Sequence, residues 1–579
     1  MDVKDLARVW KTGAALGVVI GLWAVEARAE EGLPGSDLAL AMGRYLDLRQ
    51  SVVLGGSEAE AARLDRAAAE VARACDGKLP GDCLFAEALT LAATADEPEE
   101  KPLGAGWLTR SEAQARIVVY LTQAHEVDAA RELALAILDR WDRNRALRNI
   151  VRVLAADADY ERAIEILIDF DHPFIQVEAA SDVAKWMIEN DNNDLAREVL
   201  SRAAEIASRV GDPGSRGQAL AKIAFDYLKV DDVSAAMGLI GQIVDEYWKN
   251  AVSEWVAGAL AKTGEVEAAL RVAEGVKGDA LEEFEALEAV AVGLAEAGLA
   301  DEARGVAERQ SDPFARAVEF ARVAAGLTKA GQIEAAKALF SEAEALAAGL
   351  AEPEDQAVVL TVIAVAMIDA ARVGDALALV ERVKDLGLKT DRMRRAYLKV
   401  AEALIAAGES DASVPLLGLA EGIAGETVEE EDRSSALLEI ARVLIKGGQF
   451  VEAERVAMGI GEASSRVYAL KDLGKALAGI GRADEAVRLA GVIVAVEGAE
   501  RARASGLGQV AKALAEAGEV ASAEGVAERV VEPDWRAQAL AEVAEALAAT
   551  HPSDAERIGR RVEDAGWRSV VLATVAAEL

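Results

Sequence analysis

Apolar and polar residues follow one another along most of the chain in a pattern that predicts pairs of amphipathic helices. From Leu507 onward, apolar residues recur at i, i+3, i+4 and i+7, as they do on one face of an α-helix. Gly518 is typical of a helix end, and Ala523 begins the apolar face of a second helix. Strings with the same Gly-to-Ala spacing begin at Leu287, Phe320, Leu437 and Leu470.

This helix pair repeats with a basic step of 33 residues, and longer steps reach 40. One small residue of the second helix serves as the anchor of each unit. The anchors are Ala130, Ala163, Ala196, Ala236, Ala269, Ala303, Ala336, Ala376, Ser413, Ala453, Ala486, Ala523 and Ala555. Because one pair cannot bury its apolar face alone and stacked pairs can, the pattern predicts an all-α fold. We expect a right-handed superhelical solenoid of about thirteen helix-turn-helix repeats over residues 107–579.

The unit resembles the tetratricopeptide repeat family. The matching features are a large apolar residue early in the first helix, a small residue four positions later, a turn glycine, and an alanine five positions after it. The strings Gly331-Gln-Ile-Glu-Ala-Ala336 and Gly264-Glu-Val-Glu-Ala-Ala269 carry them most clearly. Aromatic residues usual in the family are mostly Leu and Ala here. The resemblance covers roughly residues 107–579 and implies a protein-interaction scaffold.

The first hundred residues have a different pattern. A weakly basic start, the apolar run Thr12–Val25 and the sequence Ala27-Arg28-Ala29 are typical of a secretory signal peptide. We predict a signal peptide over residues 1–29, cleaved after Ala29, and a periplasmic or secreted protein. A buried N-terminal helix is the alternative. No later stretch has about 18 uninterrupted apolar residues, so no membrane span is expected in the mature chain. We predict that residues 30–106 form an N-terminal helical cap and a linker.

The chain has only two cysteines, Cys75 and Cys83, which flank a turn sequence between two predicted helices. In an oxidising compartment, they are expected to form a disulfide. A metal or redox pair is the alternative, but no histidine lies nearby in the sequence.

Composition narrows the function classes. The net charge of −37 argues against nucleic-acid binding, which needs clustered Lys and Arg. Three His and two Cys leave little for a zinc site or a Cys/His nucleophile pair. We therefore predict no enzyme activity, cofactor or metal. The acidic surface favours a protein or peptide partner that is basic.

An aromatic cluster is the first candidate binding surface. Tyr227, Tyr247, Trp248 and Trp255 fall in two adjacent units of a chain that is only 4% aromatic. The cluster predicts a patch for a partner, and the alternative is that it fills the core.

A basic position near the start of the first helix is the second candidate. Arg466, Arg503 and Arg536 occupy this position in three successive units. In other units the same position is occupied by Arg110, Arg143, Arg216, Lys249, Arg316 and Arg433. These side chains are interpreted either as ion-pair partners of acidic residues in the neighbouring unit or as donors to a carboxylate-rich peptide or glycan.

The leading hypothesis is an exported helical-repeat scaffold that mediates protein–protein or protein–peptide interaction. The alternatives are an accessory of envelope polysaccharide export or assembly, and a glycan-acting enzyme with a helical superstructure.

Overall fold

The computed structural model describes residues 88, 91–92, 109–276 and 280–578. The predicted signal peptide, nearly all of the predicted cap and linker, and Cys75 and Cys83 lie outside the described residues. Within the described ranges the chain is helical and has no strand. The helices alternate between a first helix (helix A) and a second helix (helix B) of each repeat, which confirms the predicted all-α helix-turn-helix repeat.

The bounds of the helices are as follows. Helices A are α1 (Arg110–Gln123), α3 (Arg140–Ala156), α5 (Pro173–Glu189), α7 (Pro213–Lys229), α9 (Glu246–Lys262), α11 (Ala280–Glu296), α13 (Pro313–Lys329), α15 (Pro353–Asp369), α17 (Asp391–Ala406), α19 (Glu430–Lys446), α21 (Ala463–Gly479), α23 (Glu500–Glu516), α25 (Pro533–Leu547) and α27 (Ala565–Glu578). Helices B are α2 (Val127–Ala136), α4 (Tyr160–Ile166, followed by a 3-10 turn Leu167–Asp169), α6 (Asn193–Ala207), α8 (Val233–Ile240), α10 (Val266–Ala273), α12 (Ala300–Ala307), α14 (Ile333–Ala348), α16 (Val373–Asp385), α18 (Ser410–Gly425), α20 (Phe450–Met458), α22 (Ala483–Val494), α24 (Val520–Ala527) and α26 (Pro552–Gly559).

In twelve of the thirteen described turns between helix A and helix B, a left-handed residue lies five positions before the anchor. Glycine holds this position with φ of 75° to 84° at Gly264, Gly298, Gly331, Gly408, Gly448, Gly481 and Gly518. His125, Ala158, Asp191, Asp231 and Ala371 take the same conformation with φ of 55° to 61°. A side chain there costs roughly 1–2 kcal/mol, which explains why glycine recurs.

The anchors are buried in every unit of the repeat. Every one of them is 2% exposed or less. Small residues also let neighbouring helices A approach closely, as at Gly293 of α11. A Cβ atom added there would lie 2.6 Å from the carbonyl oxygen of Gly258 and 2.7 Å from Cβ of Ala261, both on α9. The chain therefore needs glycine at 293 to keep the spacing of α9 and α11.

The chain divides into two compact units. Unit 1 contains the residues up to Val153 and those from Ala511 to Leu579, and unit 2 contains Leu154–Val510. None of the helices in the described part of the chain is both long enough and apolar enough to cross a membrane.

Within unit 1, the first described helix packs against the last one. The guanidinium carbon of Arg116 on α1 lies 4.4 Å from the ring centroid of Trp567 on α27. A nitrogen of the same guanidinium lies 3.7 Å from a carboxylate oxygen of Glu545 on α25. We call this arrangement of Arg116, Glu545 and Trp567 the end joint. It brings together helices from the two ends of the helical array.

Candidate functional site

Three successive helices A of unit 2, α5, α7 and α9, form a concave groove. Its volume is about 290 Å³. We call it the aromatic groove. It is lined by Phe174, Val177, Glu178, Gln218, Ala219, Ala221, Lys222, Phe225, Trp248 and Trp255.

Small buried residues form the floor of the aromatic groove. Val177, Ala219 and Ala221 are each 3% exposed or less. Because these side chains are short, they leave an apolar depression between the larger rings on either side. Such an apolar floor is typical of sites that receive an apolar group from a ligand.

Two local features place Trp248 at the wall. Trp248 is the third residue of α9, and its backbone N–H donates to the N-cap carboxylate of Asp245 over 3.2 Å. On α7, Gly217 leaves room for the indole, because a Cβ atom at 217 would lie 3.1 Å from Cδ1 of Trp248. The N-cap and the facing glycine together fix where the indole packs.

Phe225 and Trp255 form the other aromatic part of the groove. Their ring centroids are 5.3 Å apart with an interplanar angle of 59°. Phe225 is 45% exposed, which is high for a large apolar side chain. The ammonium of Lys229 lies 4.5 Å from the Phe225 ring centroid and also donates to Asp226 over 2.9 Å. The two rings therefore offer a preformed surface for stacking.

Charged side chains border the apolar floor. Lys222, which lines the groove, pairs with Asp182 of α5 at 3.8 Å. Glu254 precedes the groove residue Trp255 on α9. Burial, together with the negative charge of Glu285 on α11, raises the pKa of Glu254. The surroundings of the groove therefore include a carboxylate, Glu254, whose charge is disfavoured by burial and by the neighbouring Glu285.

The four predicted aromatic residues lie in different environments. Trp248 and Trp255 line the aromatic groove. Tyr247 is 68% exposed and contacts Trp248 edge-on, with ring centroids 5.0 Å apart, but does not line the groove. Tyr227 is only 6% exposed, so its ring packs in the core and is not accessible to a partner.

The predicted basic position has a role that neither interpretation included. The guanidinium groups of these arginines donate to backbone carbonyls at the end of the preceding helix B. The pairs are Arg466–Ile460 (2.7 Å), Arg503–Val496 (2.9 Å) and Arg536–Val530 (3.3 Å). Arg143, Arg433 and Arg568 make the same kind of bond. A charged donor at carbonyls left open by the end of a helix stabilises that end and fixes the connection between units.

Ion pairs between neighbouring units involve other positions, and the two-nitrogen pairs among them lie on helix B. Three arginines each bind a glutamate of the preceding helix B through two nitrogens. The pairs are Arg455–Glu421, Arg488–Glu454 and Arg557–Glu524, with distances of 2.6 to 3.0 Å.

Sequence reasoning missed most of the groove. Phe174 lies far from the aromatic cluster in the chain and Lys222 is not aromatic, but Phe225 lies only two residues before Tyr227 and could have been included. The repeat itself contains the missing signal. Lys222 and Trp255 each lie 14 residues before an anchor, and Glu178 and Gln218 each lie 18 before one. Equivalent positions of successive units therefore line the same surface.

The described residues contain no group of three or more His, Cys, Asp or Glu side chains arranged to hold a metal ion.

Comparison with known proteins adds little to this picture. No protein-family profile matches the chain, and no curated protein matches it. Among solved structures it is similar to the Naa15/Naa10 complex bound to HypK-THB, with 12% identity, 90% of this chain and 96% of that chain covered, and a TM-score of 0.32. It is also similar to the maize pentatricopeptide repeat protein PPR10, with 16% identity, 77% and 68% covered, and a TM-score of 0.26. It is similar as well to Ton1535 of Thermococcus onnurineus NA1, with 16% identity, 56% of this chain and 98% of that chain covered, and a TM-score of 0.28.

These TM-scores are low, so the assignment of the fold rests on the helix pairs, the left-handed turns and the buried anchors. The fold is an all-α array of helix-turn-helix repeats that resembles the tetratricopeptide repeat. In this array, the side chains of successive helices A build the aromatic groove.

Proposed function

We propose that this chain is an exported scaffold that binds a segment of another protein in the aromatic groove of unit 2. The observation that carries the proposal is the combination of a buried apolar floor with the accessible rings of Phe225 and Trp255. Large rigid rings around an apolar depression supply much contact area at low entropic cost, and they are enriched at protein interfaces. A groove of about 290 Å³ lies at the small end of ligand pockets and suits one or two side chains of a peptide.

The export part of the proposal rests on the sequence pattern of residues 1–29 and on the cysteine pair. A fusion of residues 1–29 to a reporter enzyme that is active only outside the cytoplasm tests it. We expect reporter activity and an N-terminus that begins after Ala29. An uncleaved, inactive fusion would contradict the export proposal and leave the binding proposal untouched.

Peptide binding is tested with a surface-displayed library of random dodecapeptides selected on the purified mature chain. We expect enriched peptides that compete with one another and that lose binding to the Trp255→Ala variant. Tyr468→Ala is the matched control, because Tyr468 is a 40% exposed aromatic residue of α21 that does not line the groove. If Trp255→Ala retains all binding, the groove is not the site.

A glycan is the second candidate occupant, because exposed aromatic rings also stack on sugars. The same two variants applied to an array of envelope polysaccharide fragments distinguish the candidates. Trp255-dependent retention of a fragment, with no peptide enriched, would overturn the protein-scaffold proposal in favour of polysaccharide binding.

A further inference from the structure

The aromatic groove continues along the array into a carboxylate-rich surface. Ala221 of α7 lies 15 residues before its anchor and lines the groove. Glu254 occupies the equivalent position on α9, and Glu288 occupies it on α11. By the repeat register, the face that is apolar on α7 therefore becomes acidic on the next two helices A.

The basic side chains of this region already have partners within the chain. Lys222 pairs with Asp182 at 3.8 Å, and Arg322 of α13 contacts the carboxylate of Glu288 and is also attracted by the charge of Glu285. Glu254, by contrast, makes no ion pair with any residue that the structure describes. Negative charge next to the groove therefore remains only partly neutralised.

The environment of Glu254 makes a further cation favourable. It is half-buried, and the charge of Glu285 adds to the effect of burial in raising the pKa of Glu254. A cation placed between Glu254 and Glu285 would relieve the repulsion that Glu254 experiences and would favour its ionised form. An ammonium or guanidinium group carried by a bound peptide would supply that charge.

We propose that the aromatic groove binds a polypeptide segment in which a large apolar side chain is followed within a few residues by lysine or arginine. The apolar side chain packs on Val177, Ala219 and the Phe225–Trp255 pair, and the basic side chain lies between Glu254 and Glu285. This inference rests on the proposed peptide-binding function and specifies its partner. It also agrees with the net charge of −37, which attracts basic segments over a distance.

The experiment compares selected peptides and charge variants. Dodecapeptides enriched on the mature chain are sequenced, and the affinities of the best one and of its Lys-to-Gln or Arg-to-Gln derivative are measured by fluorescence anisotropy. We expect a basic residue within about four positions of an aromatic or large aliphatic one. We also expect the derivative to bind about three- to tenfold more weakly.

Two variants separate the apolar and charged contributions. In the Glu254→Gln/Glu285→Gln double variant, the difference between the two peptides should largely disappear, while binding still requires Trp255. The matched control is Glu267→Gln, an exposed glutamate of α10, which should retain the full difference. Binding to the wild-type chain should also weaken as salt rises.

The outcomes distinguish the two proposals. Enriched peptides without a basic residue, or a Lys-to-Gln difference that persists in the double variant, overturn this inference and leave the groove as a peptide site. If no peptide depends on Trp255, the proposed function fails and this inference fails with it.

Discussion

Two tryptophans occupy the same local position in the two units, yet their surroundings differ completely. Trp248 in unit 2 and Trp567 in unit 1 are each the third residue of a helix A. Each donates its backbone N–H to an N-cap aspartate three residues earlier, Asp245 at 3.2 Å and Asp564 at 2.7 Å. Trp248 lines an open groove, whereas Trp567 is only 2% exposed.

The difference comes from what packs on the ring. Arg116, on a helix far away in the sequence, lies over Trp567 at 4.4 Å, whereas the indole of Trp248 borders a depression floored by small residues. The local Asp-x-x-Trp pattern fixes the start of the helix and the place of the ring. Whether that ring becomes core or binding surface depends on a helix that the pattern does not specify.

The largest expected effect is the difference in stability lost when each of the two tryptophans is replaced by alanine. Trp567→Ala removes a fully buried ring and should lower the free energy of unfolding by about 3–5 kcal/mol. Trp248→Ala should lower it by only about 1–2 kcal/mol, because part of the ring is already solvated, but should weaken peptide binding. Calorimetry measures the loss of stability, and fluorescence anisotropy measures the loss of peptide affinity. Equal losses of stability would show that Trp248 is as much part of the core as Trp567.

Buried carboxyls extend the comparison to pH. Glu545 lies in the end joint of unit 1. Glu319 of α13, in unit 2, is 1% exposed, and its Oε1 has no hydrogen-bond partner in the described structure. Burial raises the pKa of each to about 7, and at Glu545 it outweighs the opposing charge of Arg116. The folded state therefore keeps protons between about pH 4.5 and 7 that the unfolded chain has released, so stability should fall as the pH rises through 7.

Replacing each carboxyl separates the two contributions. At pH 8, Glu319→Gln should raise the free energy of unfolding by about 1–3 kcal/mol, because it removes a buried charge that has no partner. Glu545→Gln should gain less, since it also loses the attraction of Arg116. Urea unfolding at pH 5 and pH 8 measures both, and each variant should differ least from wild type at pH 5. A Glu319→Gln curve parallel to wild type would contradict the assigned pKa.

Removing the Arg116 side chain should weaken the end joint. Arg116→Gln takes away the cation over Trp567 and the partner of Glu545, which should cost about 1–2 kcal/mol. Amide hydrogen exchange of α27 should accelerate. Arg145→Gln is the control, because Arg145 is a half-exposed arginine of α3 that pairs only loosely, at 3.9 Å, with Asp142. Unchanged exchange in α27 would mean that apolar packing alone holds this helix.

The smallest expected effect on stability comes from a substitution that shifts the Trp248 indole in the groove. Gly217→Ala places a methyl group 3.1 Å from Trp248, so the indole must shift. Stability should change by less than about 1 kcal/mol, because alanine also favours the helix. Peptide affinity should nevertheless fall several-fold. Gly238→Ala on α8 has open space around the new methyl and should leave affinity unchanged.

The repeat itself could be predicted from the sequence because its signals are local. Spacing of apolar residues, the left-handed turn glycine and the buried anchor all act within one unit, so Gly264 and Ala269 predict their own surroundings. Tyr227 shows the limit of this reasoning, since composition marks it as unusual but only the packing between helices buries it. The roles of Arg466 and its equivalents were missed because their acceptors are backbone carbonyls, which leave no trace in residue type.

The end joint has a consequence for the order of folding. Repeats of unit 2 contact near neighbours in sequence, so they can form successively as the chain is synthesised. Unit 1 cannot do this, because α1 leaves the ribosome long before α27, the helix that it covers. The packing of α1 on α27 must close a very long loop, which is a slow step, and α1 lacks this partner in the meantime. The end joint is therefore expected to be the last contact of unit 1 to form.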